Sequence, residues 1–457
     1  MTNARLTDID LPDFGMPDVR PEIPAAIYAS RLARLREAAD RVGFERVLVY
    51  ADREHSANLA WLSGYDPRFE ESLLVVGPSG DPAVLVGNEC QGMAAQAPLS
   101  MRPILFQDFS LPGQPRDKSK PLAEILMGEG IGQGSKVGLI GWKSYARADQ
   151  SDVPSYIVDE LRGVVGADAL VVNATSLLID SETGLRTTNE VDELASMEWA
   201  ACQTSEGIKN LIYHLKPGLS EADAVAYFGW NGMQLSCHAM LTAGPRATLG
   251  MLTPGDRRME RGDRFTTAFG IWGSLTCRAG FLVESAAELP AGIPDYVERL
   301  VAPYFEAVAG WYGALHVGQT AGTLFEIVHR HIGDPFFGVS LNPGHLIGLD
   351  EWVNSPVAAG SRVELRSGQA MQVDIIPATG TNYFTTNIED GIALGDAGLR
   401  AELAAAYPEA WRRIQARRSF MEKQLGIALH ADVLPFSNLA AFLPPFLLNP
   451  RKGMVMA

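Results

Sequence analysis

Pro343-Gly344-His345-Leu346-Ile347-Gly348-Leu349-Asp350 is the stretch on which the reading of this chain turns. It sets an imidazole between two glycines. Downstream, Val373-Asp374 and Ile388-Glu389-Asp390 add carboxylates on two further segments. Imidazole and carboxylate donors gathered from separate segments are the groups that hold a divalent ion and move protons near neutral pH.

The surrounding pattern is β-rich. Segments 238–243, 264–269, 276–283, 370–376 and 385–394 read as strands, and 294–313 and 320–331 as helices. A long helix is predicted over 189–214, opened by Thr188-Asn189-Glu190 with early acids at Asp192 and Glu193. Ser220-Glu221-Ala222-Asp223 has the form of a capping box for the next helix. Earlier in the chain, Ile27, Leu32, Leu35 and Ala39 repeat at helical period. Residues 46–50 and 136–140 read as strands, 58–65 as a short helix, and 72–86 as a hairpin turning at Gly77-Pro78-Ser79-Gly80-Asp81-Pro82. The expected organisation is an N-terminal extension over 1–26, an α/β domain over 27–185, a second domain over 186–400, and a C-terminal helix with a Pro-rich tail over 401–457 that packs on the body.

A chain of 457 residues exceeds one ordinary core, so two domains are the default. The formal charge of −16 argues against nucleic acid or an anionic membrane as partner, because phosphate binding needs a basic face. Cys90, Cys202, Cys237 and Cys277 lie far apart with no Cys-x-x-Cys pair, which argues against a zinc knuckle or disulfide framework. Residues 1–24 lack the basic-then-apolar run of a signal peptide, and no apolar run is long enough to span a bilayer. The expectation is a cytoplasmic protein acting on a small molecule.

Five motifs in order carry a resemblance. They are Arg186-Thr187-Thr188-Asn189-Glu190-Val191, Arg261-Gly262-Asp263, Gly344-His345-x-x-Gly348-Leu349, Ser367-Gly368 ahead of Asp374, and Ile388-Glu389-Asp390. With Asn58 to Tyr65 they make the chain resemble the creatinase, aminopeptidase P and prolidase family over most of 27–395. The resemblance implies an α/β (α+β) fold, a creatinase-like N-terminal α/β domain followed by a pita-bread catalytic domain, in a homodimer. Two-metal members of that family use Asp, Asp, His, Glu and Glu. Here Ala268 falls at the first position, Cys277 at the second, His345 at the third, Asp374 at the fourth and Glu389 at the fifth.

Ala268 offers no donor, so a normal two-metal centre is not expected. Two possibilities follow: one zinc or ferrous ion held by Cys277, His345, Asp374 and Glu389, or no metal, with these groups bonding one another or the substrate. Met251 and Trp352 stand where the family has two active-site histidines, so the proton carrier is sought in His238, Asp374 or Glu389. Arg246 is the candidate grip for a substrate carboxylate. Trp61, Tyr65 and Arg68, beside Phe69, match a substrate-facing edge of the N-terminal domain or belong to its core. The expected function is a divergent hydrolase that cleaves an amide- or amidino-type C–N bond in a small carboxylate-bearing substrate. An Xaa-Pro peptidase, a lyase of the dimethylsulfoniopropionate-cleaving type and an inactive binding protein stand as alternatives.

Overall fold

The computed structural model describes residues 3–166 and 170–457. The chain divides into two compact units. One is Ile23–Thr187; the other joins the residues up to Glu22 with Thr188–Ala457.

The Ile23–Thr187 unit is a mixed six-stranded sheet with Arg46–Ala51 near its centre. On one side Ser72–Val76 and Ala83–Val86 continue it antiparallel, and Arg102–Leu105 closes that edge. On the other, Val137–Ile140 and Val171–Asn173 add parallel. Val47, Leu48, Val49, Leu73, Leu74 and Leu85 are all buried, as uninterrupted apolar strands covered on both faces require. The helices Leu122–Gly128 and Ser155–Val165 bring Leu126, Ile157 and Leu161 to this core.

The second unit is built on the helix Val191–His214. It lies against an antiparallel sheet of Asn387–Glu389, Ser274–Phe281, Arg264–Ile271 and Met240–Ala243, in that spatial order. A second antiparallel sheet runs His345–Leu346, Ala370–Gln372, Gly391–Leu394 and Val433–Pro435. The predicted strand over 385–394 is therefore two strands, one in each sheet, and the chain changes sheets at Asp390. A buried network holds that corner: Asp390 accepts from Arg278 (2.8 Å), from the Ser437 hydroxyl (2.7 Å) and from the Ala441 amide (2.9 Å).

Other local readings hold or shift for visible reasons. Ser220 accepts from the Asp223 amide at 3.0 Å, the cap its sequence promised. The long helix starts at Val191 behind Glu190, which makes no side-chain cap bond. The helix predicted over 294–313 opens with a π turn, Val297–Val301, before Ala302–Ala314. Pro303, with no N–H to give, sits at that transition. The N-terminal extension belongs with the second unit. Its strand Ala4–Asp8 pairs antiparallel with Lys452–Met456, so the two ends of the chain form one ribbon within the second unit. The Pro-rich tail does more than pack on the body: Val433–Pro435 completes a sheet, and Leu439 to Leu443 are buried.

Candidate functional site

Four strands set one row of side chains. Met240 lies opposite Ala268, Ala268 opposite Cys277, and Cys277 opposite Glu389. Directly opposed residues of antiparallel strands share a face, so these four project together. The Cys277 thiol donates to Glu389 Oε2 at 2.8 Å. Arg278, the next residue, takes the other face, where its guanidinium donates to Asp390 and to the Phe442 carbonyl.

His345 enters from the second sheet, opposite Gln372, and Asp374 follows that strand by two residues. Gly344 turns the chain into His345 at φ +114°, with the Trp311 ring 3.0 Å from where a Cβ would sit. The His345 ring is fully buried and stacks on Trp352, with centroids 4.1 Å apart and planes at 17°. Its Nδ1 faces the Leu346 carbonyl at 3.2 Å. Its Nε2 faces three carboxylates: Glu351 at 3.1 Å, Glu389 at 3.6 Å and Asp374 at 3.9 Å. None of these approaches is aligned as a hydrogen bond. His345 Nε2, Asp374 Oδ1 and Glu389 Oε1 are buried polar atoms without a hydrogen-bond partner among the described residues.

The charge states follow from that crowding. Burial works against protonation of His345, but Glu351 and Glu389 outweigh it and push the imidazole up to about 10. Burial raises Asp374 well above the ordinary carboxylate range, and the Glu389 charge adds to it. Burial likewise raises Glu389, against the opposing pull of His345. The Cys277 thiol is held well above its usual value by burial and by Glu389, so it is a neutral S–H at pH 7.

A two-metal centre does not fit this site. Ala268 lies in a patch with Met240, Leu275 and Cys277, against which Cys237 packs, and no carboxylate of that patch stands in for the expected first aspartate among the described residues. One ion does fit. Ligand atoms of His345, Glu351 and Glu389 all lie within 4.8 Å of one another, and unpartnered buried atoms converge on that space. This close-spaced set differs from the expected one. Cys277 is outside it, bonded to the far oxygen of Glu389, and Asp374 is outside it as well. Glu351 was missed in the sequence; its one signal is its place beside Trp352, within a few residues of the His345 motif.

Other candidates fall elsewhere. His238 is exposed, with its Nε2 on the Met251 carbonyl at 2.7 Å, and it is not brought to the carboxylates. Arg246 is already engaged within its own unit. Its Nε is paired with buried Glu221 at 3.1 Å, and its terminal nitrogen donates to the Thr253 carbonyl at 2.8 Å. Trp61 and Tyr65 are core residues of the Ile23–Thr187 unit, each 2% exposed, and the Arg31 guanidinium lies over the Trp61 indole at 4.6 Å. Arg68 is partly exposed in the same unit and paired with Asp66 at 3.0 Å. Trp352 lies at the site, as the plate over His345.

Comparison with known proteins supports this assignment of fold. No protein-family model matches the chain. It is 27% identical over 236 residues to the uncharacterized peptidase YqhT of Bacillus subtilis (strain 168), a match spanning 48% of this chain and 63% of that protein. It superposes on the prolidase from Pyrococcus horikoshii OT3 with a TM-score of 0.62 at 17% identity, covering 80% of this chain and 95% of that one. The dipeptidase PepE from Mycobacterium ulcerans gives 0.60 at 18% identity, covering 83% and 95%. Among the described residues no helix is long and apolar enough to cross a membrane. The chain thus has the pita-bread fold shared with prolidases and related dipeptidases.

Proposed function

We propose that this chain is a hydrolase acting on a C–N bond of a small substrate through a one-metal centre around His345 and Glu389. The observation that carries the reading is the approach of two buried atoms without hydrogen-bond partners, His345 Nε2 and Glu389 Oε1, 3.6 Å apart, with a Glu351 oxygen 3.1 Å from the same nitrogen. Buried polar atoms left without hydrogen bonds cost about 1–3 kcal/mol each. A fold that retains them has a use for them.

When bound, a zinc or ferrous ion supplies Lewis-acid charge at that point. The chain's own residues do the rest. Trp352 fixes the plane of the imidazole. Glu389 is oriented from behind by the Cys277 thiol. Asp374, its carboxyl raised by burial and by Glu389, holds a proton that a leaving nitrogen can take. Cys277 is not the nucleophile, since a neutral thiol bonded to a carboxylate attacks poorly. With Arg246 committed to Glu221, the carboxylate-bearing substrate loses its expected anchor, and the C–N bond is the part of the substrate reading that the site supports.

The test combines elemental analysis with a substrate panel. Purified protein is expected to hold close to one equivalent of a transition metal and to turn over at least one member of a panel of amides, amidino compounds and Xaa-Pro dipeptides. Glu389→Gln should abolish that turnover. Less than about a tenth of an equivalent of metal after reconstitution removes the one-metal reading, and full turnover by Glu389→Gln removes the site.

A further inference from the structure

We infer that Glu351 is the ligand that replaces the missing aspartate, so that the loop after His345, rather than the sheet, completes the centre. The inference rests on the one-metal reading above and deepens it.

Ala268 shows why a replacement is needed. In the row Met240, Ala268, Cys277, Glu389 it occupies the face that looks into the site, yet it and its neighbours Met240 and Leu275 are apolar. The sheet therefore contributes one carboxylate to the close-spaced set, Glu389. An ion held by one imidazole and one carboxylate alone is under-coordinated by protein for a zinc-type site, where three protein ligands are usual. Glu351 supplies the third. It reaches His345 Nε2 at 3.1 Å, and it alone with His345 and Glu389 places one atom each within 4.8 Å among the described residues.

The convergence is not just an acidic cluster. His345 and Glu389 are 0% and 4% exposed, and each aims an unpartnered atom at the shared space. Glu351 differs from both in being 27% exposed at its side chain. Two donors are fixed by strands in the interior, and the third comes from a partly exposed loop. Trp352, the next residue, stacks on His345, so the loop that delivers the carboxylate also covers the imidazole. An ion at His345 Nε2 would therefore lie beside the Trp352 indole. The occupant is a single zinc- or iron-sized divalent ion with oxygen and nitrogen donors.

Zinc titration of the full chain, stripped with chelator, tests this by calorimetry together with tryptophan emission. The difference between wild type and Trp352→Phe isolates that indole among the eight tryptophans. Wild type is expected to bind one zinc per chain with a change in the Trp352 emission. Glu351→Gln should bind at least about a hundredfold more weakly, as for loss of a direct ligand, with no emission change at the concentration that saturates wild type. The exposed control Glu402→Gln should match wild type. Equal thermal melts of the chelated proteins show that the variants fold. Wild-type affinity in Glu351→Gln overturns the role given to Glu351 and leaves the one-metal reading standing. No zinc binding by wild type overturns that reading and this inference together. Tight zinc binding with the Trp352 emission unmoved overturns the coupling to the loop.

Discussion

Glu198 and Glu389 are both buried glutamates of the same unit, and they behave oppositely. Glu198 lies on the long helix, where Arg413 donates to its two oxygens at 2.9 and 2.7 Å and Arg417 donates at 2.7 Å. Burial alone would raise its pKa; the two guanidinium groups outweigh burial and hold it below the ordinary glutamate range. Glu389 has one imidazole and one thiol for company, and burial keeps it raised. Arg417 is satisfied in turn by Asn438 at 2.6 Å, whereas Glu389 Oε1 has no hydrogen-bond partner. The lesson is about reading buried charge. A closed network specifies structure, and an open one marks the place where something else binds.

The largest expected effect breaks the closed network. Glu198→Gln leaves Arg413 and Arg417 buried without their counter-charge and should cost about 3–5 kcal/mol of unfolding free energy. Urea melts measure it, and a loss below about 1 kcal/mol would show that Asn438 and Cys202 suffice to hold the arginines.

Glu389→Gln should act in the opposite sense. In chelated protein at neutral pH it removes a carboxylate that burial disfavours, and stability is expected to stay level or rise rather than fall as in Glu198→Gln. The pH dependence carries the same contrast. Glu198, depressed in the folded state, contributes stability that is whole above its unfolded value of about 4.3. That part is lost as pH falls through the lower folded value. Glu389 and Asp374, raised, contribute stability that is whole below their unfolded values and is lost as pH rises toward the folded ones. Chelated wild type should therefore lose stability on raising the pH above about 5, and Glu389→Gln should flatten that slope. An unchanged slope in Glu389→Gln places the titration elsewhere.

Much of this was legible in the sequence, and the limits have physical causes. His345, Asp374 and Glu389 could be found because each sits in a short motif whose glycines and flanking strands fix it locally. The fate of Cys277 depended on register, since a slip of one residue would have put Arg278 on the site face. Glu351 was hidden because a loop side chain carries no periodicity. Arg246 looked free for a substrate because Glu221, its partner, belongs to the next helix cap and meets it only in the folded sheet. Trp61 and Tyr65 fit a helix-and-turn pattern that reads alike for a lining and for a core. The pairing of Ala4–Asp8 with Lys452–Met456 joins the ends of the chain, a non-local match that no window of sequence displays.

The smallest effect sharpens the comparison most finely, because it asks what Cys277 does for Glu389 that the arginines do for Glu198. The thiol donates to Glu389 Oε2 while Oε1 faces His345. If its work is to hold that orientation, Cys277→Ser keeps a donor at the same place. It should then change stability by less than about 1 kcal/mol, as a neutral hydrogen bond exchanged for another, with zinc affinity within about threefold of wild type. Cys277→Ala removes the donor and should weaken zinc by about tenfold or more, the range seen when an outer partner of a metal ligand is lost. Calorimetric titration of both variants checks this. Were serine as damaging as alanine, sulfur itself would be the requirement, and Cys277 would join His345, Glu351 and Glu389 as a direct ligand.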